Sequence, residues 1–187
     1  MLSYDHSDIA MKTFHVLAAA CGLLVVAAGP ALAATADVRA EVVFDHPEKF
    51  TDAKDEFIPT EVGSTALLNN LRDYLLREAR LYVPEGWKLT IVFTDVDLAG
   101  DFEPWRGAQW ADVRVIKSIY PPHFKFSFTL ADATGRVIRQ GKEDLLDQEF
   151  EMRLTLDHED PLRYDKVVLQ DWMRRQMRSV RPAPAAQ

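Results

Sequence analysis

Apolar and polar residues alternate with a period of two along several short segments, which indicates β-strands. In the longest of them, residues 87–98 (WKLTIVFTDVDL), Leu89, Ile91 and Phe93 share one face while Val92 and Val96 share the other. Both faces are therefore expected to be covered, as in a central strand. The predicted strands are residues 38–44, 87–98, 111–119, 124–130 and 137–140, with a hairpin turn at 132–135 and Gly141 as a candidate bulge.

Two segments instead repeat apolar residues every three or four positions, which indicates amphipathic helices. The first is expected to be capped by Ser64-Thr65, to carry Leu67, Leu68, Leu71, Tyr74, Leu75 and Leu81, and to end at Pro84-Glu85-Gly86. The second opens at Asp160-Pro161, with Leu162, Leu169 and Met173 as its inner stripe. Arg174, Arg175, Arg178 and Arg181 gather near its end, and we interpret them as complements of the helix dipole in preference to an anionic-lipid contact.

This order of elements predicts an α+β fold. Residues 34–181 are expected to form a single domain with a largely antiparallel or mixed sheet of about five strands and two main helices. Residues 182–187 are expected to be a disordered tail.

Residues 11–33, MKTFHVLAAACGLLVVAAGPALA, have the pattern of a cleavable signal peptide. Lys12 supplies the positive charge, an apolar stretch follows, and Ala31-Leu32-Ala33 places cleavage after Ala33. The stretch is too short to remain as a membrane span. We therefore expect a protein that is exported, either to the periplasm or as a secreted protein. The start of a signal peptide normally carries positive charge, whereas Asp5 and Asp8 are negative. Met11 is therefore the expected initiator, and residues 1–10 would be an untranslated or non-native extension.

The composition of the chain excludes several classes of function. Cys21, the single cysteine, falls in the segment to be removed, so the mature chain would be cysteine-free. The formal net charge of −7 argues against nucleic acid as a partner. The sequence contains no G-x-S-x-G motif, no HExxH motif and no glycine-rich phosphate loop, which favours a non-enzymatic protein without a cofactor.

The densest polar segment is TDVDLAGDFEPW, residues 94–105. Asp95 and Asp97 are two apart on a strand and are expected on the apolar face of Leu89, Ile91 and Phe93. With Asp101 and Glu103, they could hold calcium or magnesium, or act as hydrolytic carboxylates. A calcium loop of the EF-hand type would need ligands where Ala99 and Arg106 stand. The alternative is that these carboxylates cap the turn or pair with Arg106 or Arg114.

Trp105 and Trp110 flank this acidic loop, and Tyr120-Pro121-Pro122-His123 forms a stiff bend nearby. Indole rings beside carboxylates suit a saccharide, so Trp105, Trp110, Tyr120 and His123 are candidate ligand contacts. The alternative is that the tryptophans pack under the loop and that the bend only spaces two strands.

Several of these pieces together resemble a family of exported bacterial proteins catalogued only as a domain of unknown function. The pieces are VF with PEKFTD at 43–52, TDVDLAGDFE at 94–103, RVI with YPP at 114–122, residues 135–141, YDK at 164–166 and Asp171-Trp172. The resemblance implies one exported domain and carries over no activity, cofactor or catalytic residue.

We therefore expect an exported domain that binds a ligand or an envelope partner, either a protein or a saccharide. The contact surface would be the loop 95–110 beside the turn 120–123. The first alternative is a metal- or carboxylate-dependent hydrolase of envelope material that uses Asp95, Asp97, Asp101 and Glu103. The second is a structural subunit of an envelope assembly.

Overall fold

The computed structural model describes residues 39–155, 157–178 and 180. The extension 1–10, the signal peptide with its cleavage site at Ala33, and the tail 182–187 lie outside the described residues. The elements are β1 (Ala40–Phe44), α1 (Glu61–Tyr82), β2 (Lys88–Asp97), β3 (Asp101–Phe102), β4 (Arg114–Val115), β5 (His123–Ala131), β6 (Val137–Leu146) and α2 (Arg163–Arg178). They form one α+β domain, which confirms the predicted fold class.

The main sheet has the strand order β1-β2-β5-β6. Strands β1 and β2 are parallel, whereas β2 with β5 and β5 with β6 are antiparallel. A parallel pair needs a crossover connection, and α1 supplies it between β1 and β2. One face of the sheet is buried under both helices, and its fully buried side chains include Leu89, Ile91, Phe93 and Phe124. The opposite face carries more exposed residues such as Lys125 and Lys142.

The N-cap of helix α1 lies four residues before the predicted cap at Ser64. Thr60 is the N-cap, and its hydroxyl oxygen accepts the Gly63 N–H at 3.0 Å. Since Thr60 already offers the hydroxyl that the first turn needs, Ser64 and Thr65 lie within the helix. Leu68, Leu71, Leu75 and Ala79 form its buried stripe. Leu81, predicted to face inward, is instead 73% exposed.

Helix α2 follows the prediction closely. The Asp160 carboxylate accepts the Leu162 N–H at 2.9 Å, just before the first helical residue. Leu162, Leu169 and Met173 are buried as expected. The Trp172 ring meets Phe126 and Phe128 edge-on, with ring centroids 4.7 and 5.3 Å apart. These aromatic contacts join α2 to the middle of β5.

Two strand predictions were wrong in detail. Of residues 111–119, only Arg114–Val115 pairs, as β4 against β3, because 3-10 turns at Pro104–Arg106 and Ala108–Trp110 occupy the preceding loop. Strand β6 runs on to Leu146, and Gly141 is not a bulge but pairs in register with Phe128. A Cβ at Gly141 would lie 2.9 Å from a Phe128 ring carbon, so the glycine leaves room for that ring. The irregularity instead falls between Leu130 and Ala131.

No helix in the described part of the chain is long and apolar enough to cross a membrane.

Candidate functional site

A β-bulge in β2 decides which way the acidic residues of that strand point. The pairing with β5 is regular up to Phe93 opposite Phe126 and resumes at Asp95 opposite Lys125, so one residue is inserted between them. Val96 thereby takes the core position and is fully buried. Asp95 and Asp97 consequently turn away from the face of Leu89, Ile91 and Phe93. The predicted burial of both carboxylates on the apolar face was therefore wrong, because an inserted residue inverts the alternation.

The bulge places Asp97 in a cleft of about 280 Å³ at the end of β2. Its walls are the segment after the first strand, the connection from β2 to β3, and the bend before β5. The lining residues are Thr51, Asp52, Lys54, Asp97, Leu98, Gly100, Asp101, Ile119, Tyr120, Pro121, His123 and Leu146. Four of the predicted site residues, Asp97, Asp101, Tyr120 and His123, are thus brought together.

Asp97 is a carboxylate of the cleft that no other described residue satisfies. Its carboxylate is half-buried and receives no hydrogen bond and no ion pair from the residues that the structure describes. Burial, followed by the nearby negative charges of Asp52 and Asp95, raises the pKa of Asp97 to about 6, while His123 acts in the opposite direction. A donor or a cation from outside the chain would relieve this carboxylate.

The cleft wall is fixed by an ion pair that the sequence did not reveal. Arg114 donates to Asp52 at 2.8 and 3.1 Å, and also to the carbonyl oxygens of Gly100 at 2.8 Å and Lys54 at 2.9 Å. One alternative of the sequence analysis paired Arg114 with a carboxylate of the acidic loop. Asp52 takes that place because its segment bridges to the end of β2 at Asp97.

Asp95 and Glu103 do not line the cleft. Asp95 accepts the Thr51 N–H and hydroxyl at 2.8 and 3.0 Å and an ion pair from Lys125 at 3.3 Å. Although burial tends to raise the pKa of Asp95, these bonds outweigh it and lower the pKa. Glu103 is 2% exposed and binds the Lys117 ammonium and the Tyr120 hydroxyl.

The four predicted carboxylates therefore do not form one ligand set. Asp97 and Asp101 face the cleft, while Asp95 and Glu103 are engaged by side chains of the chain itself. Within the described residues, no group of three or more histidine, cysteine, aspartate or glutamate side chains could hold a metal ion.

The predicted aromatic contacts divide between two places. Trp105 and Trp110 are 71% and 51% exposed, so neither is packed under the loop. Trp110 lines a second groove of about 330 Å³ with Arg106 and Val113, apart from the cleft. Tyr120 and His123, in contrast, line the cleft itself, where the Tyr120 carbonyl accepts the Gly100 N–H at 3.0 Å and the His123 Nε2 meets the Asp144 carboxylate.

A second titratable group lies behind the cleft wall and was also missed by the sequence analysis. Asp165, in the first turn of α2, is 1% exposed and accepts the Ala99 N–H at 3.0 Å, and its other oxygen has no hydrogen-bond partner within the described part of the chain. Burial raises its pKa to about 7. Nothing in the spacing of YDK distinguishes this aspartate from an exposed one, since its burial depends on the packing of α2 against the β2–β3 connection.

Comparison with known proteins gives a family but no function. The family model described as "Protein of unknown function (DUF3016)" matches residues 38–175. This match confirms the predicted resemblance to a domain of unknown function. No curated protein and no solved structure matches the chain.

Proposed function

The chain belongs to the family of proteins of unknown function DUF3016, and we propose that it is a binding domain whose cleft takes a small ligand with a cationic or hydrogen-bond donor group against Asp97. One observation carries this proposal: Asp97 is half-buried in a cleft and has no partner among the described residues, whereas Asp52, Asp95 and Glu103 are all paired. Binding sites commonly combine a concave surface with a few unsatisfied polar groups.

The residues at the rim of the cleft indicate the polarity of the remainder of the ligand. Ile119, Pro121 and Leu146 line it, and both Ile119 and Leu146 are exposed. Apolar side chains beside a carboxylate favour a ligand that is polar at one end and apolar along one side. A saccharide with its hydroxyl donors and apolar ring faces has this character, and so does an alkyl amine.

Export is part of the same proposal, and it is supported by the sequence of residues 11–33. We propose that cleavage after Ala33 releases a periplasmic or secreted domain. Expression of the whole chain in a bacterium, followed by mass spectrometry of the product, tests this step. The expected N-terminus is Ala34, and an uncleaved product recovered from the cytoplasm would contradict it.

The binding proposal is tested on the chain from Ala34 onward by calorimetric titration with two probes, an N-acetylglucosamine tetramer and the diamine putrescine. We expect saturable binding of one of them, weakened about tenfold or more by Asp97→Asn. Asp73→Asn is the matched control, because it removes the same charge from an exposed position of α1. Binding that is equal in all three proteins, or absent from the parent chain for both probes, would contradict the proposed ligand class.

The hydrolase alternative is favoured by one observation, the raised pKa of Asp97 beside Asp101 in the same cleft. A carboxylic acid that stays protonated near pH 6 can donate a proton to a leaving group. Release of reducing ends from peptidoglycan, lost in Asp97→Asn while saccharide binding is retained, would establish hydrolysis in place of simple binding.

A further inference from the structure

The two helices end on the side of the domain away from the cleft. Helices α1 and α2 lie side by side and run in the same direction. Gln170 of α2 donates to Glu78 of α1 at 2.8 Å, and one turn earlier the Lys166 ammonium lies 5.5 Å from the Tyr74 ring centroid. Because both contacts advance by four residues along each helix, the two C-terminal ends emerge together.

Five exposed arginines occupy these two ends, and we call this surface the basic end: Arg77, Arg80, Arg174, Arg175 and Arg178. Arg174 pairs with Asp171, and the Arg77 guanidinium lies 5.9 Å from the Tyr74 ring centroid. The side chains of Arg80, Arg175 and Arg178 make no ion pair and no hydrogen bond with the residues that the structure describes. Three guanidinium groups of the basic end therefore have no acidic partner among the described residues, on a chain whose formal net charge is −7.

Helix dipoles account for only part of this charge. Each helix C-terminus is equivalent to about half a negative charge, so two parallel helices call for roughly one positive charge. With Arg174 paired to Asp171, four arginines remain at the adjacent helix ends, and their charge exceeds that amount. The sequence-based interpretation of the arginines as dipole complements took account of α2 only. In the structure, Arg77 and Arg80 of α1 lie at the same end as the arginines of α2.

The chemistry of the basic end fits a phosphate-bearing surface. All five cations are arginines, whose planar guanidinium groups bind phosphate with two parallel hydrogen bonds. Leu81 lies among them and is 73% exposed, which suits contact with the apolar layer below lipid headgroups. We propose that the basic end is a peripheral docking surface for a membrane that contains anionic phospholipid.

The direction of the strands then sets the orientation of the cleft. Arg39, which precedes β1, donates to the Arg80 and Val83 carbonyl oxygens, so β1 starts at the basic end. Strand β2 is parallel to β1 and ends at Asp97, roughly 30 Å away for a strand of this length. A chain docked through the basic end would present its cleft away from the membrane.

Sedimentation with vesicles tests the proposal on the chain from Ala34 onward. The probes are vesicles of phosphatidylcholine alone and of phosphatidylcholine with 30 mol% phosphatidylglycerol, at low salt and in 0.5 M NaCl. The test variant is Arg80→Gln/Arg175→Gln/Arg178→Gln. The matched control, Lys49→Gln/Arg106→Gln/Lys142→Gln, removes the same charge from exposed positions elsewhere.

We expect binding only to the anionic vesicles at low salt, with loss of binding in 0.5 M NaCl. Each arginine near an anionic surface changes affinity by about fivefold, so the test variant should bind roughly a hundredfold more weakly and the control should bind at least ten times better than the test variant. Equal losses in both triple variants would overturn the proposal, because net charge alone would then explain binding. Failure to bind the anionic vesicles would overturn the proposal, and retention on a heparin column would then indicate a soluble polyanion instead.

Discussion

The Arg114 guanidinium donates two hydrogen bonds to the Asp52 carboxylate, at 2.8 and 3.1 Å, across 62 residues of chain. The two side chains are only 14% and 9% exposed. Removal of one partner leaves the other charge buried and unpaired, so we expect Arg114→Met to lose about 3–5 kcal/mol of unfolding free energy. Urea denaturation at pH 7 measures the loss.

Two further variants make this prediction specific. Arg175→Met changes an exposed arginine that forms no ion pair with the described residues, and it should cost less than about 0.5 kcal/mol. Asp52→Asn/Arg114→Met removes both charges and should recover part of the stability lost in Arg114→Met. A single variant as stable as the parent chain would show that the pair does not hold the cleft wall.

Gly100 has a φ of +82° at the point where the β2–β3 connection passes Arg114 and Ile116. A Cβ at this position would lie 2.7 Å from the Ile116 Cδ1 and 2.8 Å from the Val115 carbonyl oxygen. We expect Gly100→Ala to lower the unfolding free energy for two reasons. The left-handed backbone costs an alanine about 1–2 kcal/mol, and the clash of its Cβ lowers stability further.

Gly135 is the matched control, because its φ is +81° and no atom of the described residues other than its own and those of its two chain neighbours lies within 4 Å of its Cβ position. Gly135→Ala should lower the unfolding free energy only by the cost of the left-handed backbone. Urea denaturation of both variants separates the two contributions. Equal losses would mean that the connection shifts to accept a methyl group and that Gly100 serves its backbone conformation alone.

The sequence predicted the elements of the fold better than the directions of their side chains. Alternation and helical spacing identified β2, β5, α1 and α2, because these patterns are local. The same alternation put Asp95 and Asp97 on the wrong face, since the bulge after Phe93 comes from pairing with β5, and no local pattern encodes it.

The candidate site was predicted only in part, because the sequence displays local patterns but not tertiary contacts. Asp97, Asp101, Tyr120 and His123 belong to two segments that adjacent strands bring together, and the sequence analysis had named both. Asp52 and Asp165 reach the site through the packing of distant segments against the end of β2. Their roles depend on tertiary contacts that one sequence does not display.

Asp165 should make the stability of the domain depend on pH. Burial raises its pKa to about 7 in the folded chain, whereas an unfolded aspartate titrates near 4. Between about pH 4 and 7 the folded state therefore holds a proton that the unfolded state has released, so this group's effect is to lower stability as pH rises through that window. Above pH 7 the full cost of the buried charge is present.

Asp165→Asn removes this charge, while its amide oxygen can still accept the Ala99 N–H. We expect the stability difference between variant and parent to shift in favour of the variant as pH rises from 5 to 8. Urea denaturation at four pH values in that range measures it. Asp157→Asn, at an exposed position, should show no such trend. Parallel pH profiles for Asp165→Asn and the parent chain would contradict the assignment.

Calcium and magnesium should leave the melting temperature of the domain unchanged. Asp95 and Glu103, two of the four predicted oxygen ligands, are already bound by Lys125 and Lys117. A site filled at a hundred times its Kd would add about 2.7 kcal/mol, which a thermal melt detects easily. Melts with 5 mM metal ion and with chelator should coincide, and a rise of several degrees with calcium alone would revive the metal hypothesis.

Glu103 should control the order of the loop that carries Tyr120 into the cleft. One of its oxygens binds both the Lys117 ammonium and the Tyr120 hydroxyl, and the other lies 3.5 Å from Arg106. The hydrogen bond from Lys117 is the main cause of the lowered pKa of Glu103. The stabilising charge of Glu103 is therefore present at neutral pH. It is lost only as the pH falls through the lowered pKa that Glu103 has in the folded chain. Glu103→Gln removes that charge at pH 7 but keeps the side-chain size.

We expect Glu103→Gln to loosen the loop without unfolding the domain. The Gly100 N–H, which donates to the Tyr120 carbonyl, and the Arg106 N–H, which donates to the Glu103 carbonyl, should exchange with deuterium faster at pH 7. The Leu89 N–H in β2 should keep its protection. Glu149→Gln, at an exposed position, is the control. Unchanged exchange at Gly100 and Arg106 would show that contacts other than the Glu103 carboxylate hold Tyr120 in place.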